Sequence, residues 1–154
     1  MDVKVIDLPA VSVAYLRYKG PPGAAIGDFW LEVFSPWQQA AGLQGRTTYG
    51  VGVDDPATTA PEEYRYDTCV EIEPGYRPQA PARLAELPGG RFAVASFSGT
   101  GEQIPAAWGE FFGQWLPASG LQMDARPCFE RYPADYAMDP ATGVFACELC
   151  ISVK

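Results

Sequence analysis

The chain has 154 residues, 47% of them hydrophobic and 13% aromatic, and its eleven basic and nineteen acidic residues leave a net charge of −8. That length and apolar content suit one globular domain with its own core and exclude a disordered chain. The charge balance argues against a nucleic-acid surface, which needs clustered Lys and Arg.

The N-terminus, MDVKVIDLPA, alternates and starts acidic, unlike the basic region and apolar block of a signal peptide. No apolar run approaches the roughly 18 residues that cross a bilayer, so a soluble, cytoplasmic protein is expected, with no membrane partner. Residues 5–21 read as two short strands broken at Leu8-Pro9, because proline cannot donate to a strand ladder. From Ala24 to Ala41 the spacing becomes helical, with Ile26, Phe29, Trp30, Val33, Phe34 and Trp37 on one stripe. Pro36 is expected to kink or shorten the last turns, and Gly42 to stop the helix. RTTYGVGVDDP and YRYDTCVEI follow as strands.

The second half replays this order. LAELPGGRFAVASFSG again breaks at Leu-Pro, IPAAWGEFFGQWLPASGL carries the stripe Ile104, Trp108, Phe111, Phe112 and Trp115, and FACELCISV closes as a strand. Leu-Pro breaks, tryptophans and closing strands recur at a spacing of about 80 residues, the signature of an internal repeat. The expected fold is α+β, with two β-β-α-β-β units (about 1–75 and 82–154, joined by PGYRPQAPARL) in one domain spanning 1–154. Neither unit can bury its own apolar face, so together they predict a pseudo-twofold antiparallel sheet carrying two helices.

Chemistry is constrained by what is missing. There is no histidine, which removes Ser-His-Asp and Cys-His triads and His-ligated zinc. Cys147 and Cys150 have CxxC spacing on a strand, where side chains three apart point to opposite faces, so with Cys69 and Cys128 they read as inert thiols and no metal site is expected. The GTGE and LPGG glycines read as turns, and no nucleotide or other cofactor is expected.

One charge stands inside the apolar closing strand. Alternation puts Phe145, Cys147, Leu149, Ile151 and Val153 on one face, and Ala146, Glu148, Cys150 and Ser152 on the other. Small residues around one carboxylate fit a cavity with an acid at its floor; a solvent-facing strand fits equally well. Asp67, the aligned acid of the first half, reads as an ion pair with Arg65.

The ordered set PEEYRYDTCVEIEPG, LPGGRFAVASFSG, AWGEFFGQWLPASGLQ, RPCFERYPADY and CELCISV resembles the GyrI-like small-molecule-binding domain, found in gyrase inhibitory proteins and in effector-binding parts of multidrug-responsive regulators. The resemblance covers the whole chain. It implies an acid in the last strand, matched by Glu148 in ELCISV, and a tyrosine before the last loop, matched by Tyr132. It also implies a stand-alone binding module for lipophilic, often cationic small molecules. Burial would raise the pKa of such an acid, and surrounding rings would add cation–π attraction. Candidate ligand-binding residues are Glu148, Tyr132, Tyr66, Tyr49, Trp108 and Phe112. A second implied function is hydrolysis of strained, electrophilic cyclopropanoid compounds, with Glu148 as base and Tyr132 or Tyr66 as proton donor. A third is inhibition of DNA gyrase by protein contact, with no direct nucleic-acid binding.

Overall fold

The computed structural model describes all residues from Met1 to Lys154. Eight strands form one sheet: β1 (Val3–Leu8), β2 (Val11–Lys19), β3 (Thr48–Gly52), β4 (Arg65–Glu71), β5 (Arg83–Leu87), β6 (Gly90–Gly99), β7 (Phe129–Tyr132) and β8 (Phe145–Ser152). The order across it is β1-β6-β8-β7-β3-β4-β2-β5, and every pairing is antiparallel. With β5 to β8 counted as counterparts of β1 to β4, this order reads the same from either end. The first strand of each half pairs in the other half: β1 with β6, and β5 with β2. The α+β class and the antiparallel sheet with two helices are as expected, and the sheet order fits a pseudo-twofold.

The Leu-Pro breaks have a role that alternation did not reveal. Only Pro9 and Ala10 separate β1 from β2, yet these strands stand first and seventh in the sheet. In a flat sheet they would lie roughly 28 Å apart at ~4.8 Å per strand, whereas two linking residues reach about 10 Å. The sheet must therefore curl until its ends meet. Pro88 and Gly89 make the same crossing between β5 and β6. One antiparallel register runs through both breaks, Leu8 facing Gly90 and Val11 facing Leu87. At the crossing the backbones touch: a Cβ on Gly89 would sit 2.5 Å from the Ala10 nitrogen and 2.6 Å from the Leu8 oxygen.

Curling gives the sheet two packed faces. Val13, Tyr49, Val51, Cys69, Phe92, Val94, Phe129 and Cys150 fill the inside of the curl. The outer face carries the helices. The first helix (residues 24–40) seats Phe34 on Ala14, Leu16, Val70 and Ile72. The second (residues 104–119) seats Phe111 on Ala93, Ala95, Leu149 and Ile151. Both contain a π-helical segment, Trp30–Phe34 and Phe111–Trp115. Pro36 does not end the first helix, which continues to Ala40. The wide turn just before it provides a local change of hydrogen-bond register where proline lacks a donor. The extra residue in that turn also rotates the stripe, so Phe34 is buried while Val33 is exposed. No helix is long and apolar enough to cross a membrane.

Candidate functional site

At the centre of the sheet, where its two halves meet, β7 pairs with β3. Along β7 (Phe-Glu-Arg-Tyr) the odd positions enter the curl, and Glu130 and Tyr132 point toward the helices. Glu130 is 8% exposed. Its Oε1 accepts hydrogen bonds from the hydroxyls of Tyr66 at 2.7 Å and Tyr132 at 3.1 Å, and its Oε2 from the Trp108 indole N–H at 2.9 Å. Burial holds its carboxyl above the usual glutamate range, and the three donors only partly offset this. Burial beside Glu130 pushes the Tyr66 and Tyr132 hydroxyls well up, so both remain proton donors at neutral pH. No lysine or arginine pairs with Glu130.

The space for this cluster comes from β3. Gly50 lies between Glu130 on β7 and Thr68 on β4, on the helix-facing side. A Cβ there would overlap the Tyr66 hydroxyl and come within 2.8 Å of Glu130 Oε1. Aromatic rings close the walls. Trp30 meets Tyr132 edge-on at 5.6 Å and Tyr66 at 6.4 Å. On the other side Phe112 stacks on Trp108 at 5.4 Å. Tyr136 and Phe145 pack against Tyr132. The result is a buried carboxyl with no positive partner, walled by aromatic rings. Such a site attracts a cation or accepts a proton.

Residues 1–154 match the family model of the GyrI-like small molecule binding domain. The chain belongs to the GyrI-like family. This GyrI-like domain is 37% identical over 137 residues to the probable transcriptional regulator YgiV of Escherichia coli K12, covering 86% of this chain and 84% of that one. It is 33% identical over 158 residues to a DNA gyrase inhibitor of Edwardsiella piscicida, covering 100% of this chain and 99% of that one. Its fold matches SAV2435, solved bound to tetraphenylphosphonium, with a TM-score of 0.63 at 15% identity, covering 100% of this chain and 94% of that one.

Several residues of this GyrI-like domain sit elsewhere than the sequence suggested. Glu148 is not the buried acid. It belongs to the face of β8 opposite the helices and binds Arg131 of β7, Nε to Oε1 at 2.7 Å, with 37% of its side chain exposed. Of the small residues that share its face, Cys150 is fully buried inside the curl, whereas Ala146 is exposed. Tyr49 also lies inside the curl, its hydroxyl 3.3 Å from Glu71, on the opposite face from Tyr66. It stands across from Arg131. Asp67 pairs with Arg17 through two bonds of 2.8 and 3.0 Å, while Arg65 binds Asp54. By contrast, Tyr66, Tyr132 and Trp108 converge on one carboxylate, with Phe112 stacked at the rim. Cys147 and Cys150 do point to opposite faces, and all four thiols are free.

Sequence reasoning alone assigns no role to Glu130 in FERY. Its signal was position: two residues before the candidate Tyr132, it must share that tyrosine's face. A depression of about 310 Å³ lined by Tyr15, Arg17, Phe29 and Arg83 lies at the β2–β5 end and touches none of the Glu130 cluster. The buried carboxylate, not this hollow, marks the candidate site.

Proposed function

We propose that this domain binds lipophilic organic cations in the groove between its helices, with Glu130 as counter-charge and Trp30, Tyr66, Trp108 and Tyr132 as the aromatic surround. The observation that carries the reading is a buried carboxylate held only by two phenols and an indole, without a positive side chain. A bound cation would supply the missing charge where the dielectric is low, and each ring in contact would add about 0.5–2 kcal/mol. Titration of tetraphenylphosphonium into wild type, Glu130→Gln and Glu148→Gln, read by calorimetry, tests it. Loss of at least tenfold in affinity, about 1.4 kcal/mol, is expected for Glu130→Gln alone. Equal affinities in all three proteins would remove the reading.

Hydrolysis has one specific feature in its favour. Oε1 of Glu130 takes hydrogen bonds from two tyrosines, so a carboxylate of raised pKa sits beside two phenol donors. Glu130 can take a proton from water while Tyr132 or Tyr66 donates to the oxygen that gains charge as a strained electrophilic ring opens. Turnover of a cyclopropanoid probe by wild type but not by Glu130→Gln is expected on this reading. Equal rates would end it.

A further inference from the structure

Tyr64 is 93% buried, at 7% exposure, yet its hydroxyl makes no hydrogen bond to the protein. No buried side-chain oxygen or nitrogen lacks a partner, so this hydroxyl is the part of the residue left open. Its place is defined by β3. A Cβ on Gly52 would lie 2.8 Å from the Tyr64 hydroxyl, just as one on Gly50 would meet Tyr66 and Glu130. Gly50 and Gly52 share the helix-facing side of one strand, about 7 Å apart. They form a bare backbone track across which two phenols lie. Tyr66 ends at Glu130; Tyr64, two residues before it on the same face, ends one step further along, open and without a protein partner. Burial first, and then the nearby charges of Glu130, Asp54 and Asp55, push the Tyr64 hydroxyl's pKa up.

Resting on the reading of Glu130 as a ligand counter-charge, we infer that Tyr64 is a second contact point of that site. The ligand is an elongated aromatic cation with an ether or carbonyl oxygen about 7 Å along the groove from the atom facing Glu130. The cation selects the Glu130 end, and the oxygen accepts a hydrogen bond from Tyr64.

A matched pair of probes tests this: 4-(4-acetylphenyl)-N-methylpyridinium, which has the oxygen, and its 4-(4-ethylphenyl) analogue, which lacks it. Wild type should bind the acetyl compound about three- to tenfold more tightly, the worth of one hydrogen bond. Tyr64→Phe should erase that preference and leave the ethyl compound's affinity unchanged. Gly52→Ala, which crowds the hydroxyl out of place, should erase it too. Glu130→Gln should weaken both compounds alike. If Glu130→Gln weakens both but the acetyl preference is absent from wild type or survives in Tyr64→Phe, the Tyr64 inference falls and the counter-charge reading stands. If Glu130→Gln weakens neither, or neither compound binds, both fall.

Discussion

Glu130 couples the stability of this protein to pH in a direction opposite to that of a salt-bridged acid. Its folded-state pKa is raised, so the native state holds its proton more tightly than the unfolded chain does. That contribution is fully present below the ordinary glutamate pKa of about 4.3 and is lost as pH rises through the higher folded value. Glu130→Gln removes the titration and adds a constant offset, because its amide can satisfy the Trp108 and tyrosine donors only in part. Denaturation in urea at pH 4 and at pH 8 should show the variant gaining stability relative to wild type at the higher pH. A gap independent of pH would mean that the carboxyl titrates normally in the folded state. The Glu148–Arg131 pair, partly open to water, is worth at most about 1 kcal/mol.

Two glycine substitutions separate the roles of the elements. Gly89 lies where the two proline crossings touch, and a Cβ there meets backbone, which cannot move aside as a side chain can. Gly89→Ala should cost about 1–3 kcal/mol, as overpacking of a tight contact does. Gly109, in the second helix, has nothing within 4 Å of a Cβ, so Gly109→Ala should stabilise by about 0.5–1 kcal/mol. Thermal denaturation of the two variants distinguishes them by sign. Both helices could be read from apolar spacing, since Phe34, Phe111 and the tryptophans supply the 3.6-residue period. The π segments could not, because a single wide turn changes which residues face inward without changing composition. Alternation along β8 sorted its residues correctly into two faces, but which face is lined depends on distant partners. Gly50 opposite Glu130, and Arg131 opposite Glu148, exist only once β7 has paired with β3 and β8. The first pairing joins residues 80 positions apart and the second residues 17 apart across the last loop, so no local pattern contained either.

At the scale of the molecule, the sheet holds its two halves together at the centre, where β3 meets β7, and again at both ends. The end pairings come from β1 and β5, each lying against strands of the other half. A chain divided in the segment between β4 and β5 should therefore give two fragments that are unfolded alone and assemble one-to-one when mixed, recovering the circular dichroism of the intact protein. A fragment that folded without its counterpart would show that the end pairings are dispensable. The exchanged first strands are the topology of a strand-swapped dimer carried on one continuous chain. In such an arrangement the covalent link fixes the local concentration of the two partners. The groove, with Tyr66 from one half and Glu130 from the other, is then an interface between subunits that can never dissociate.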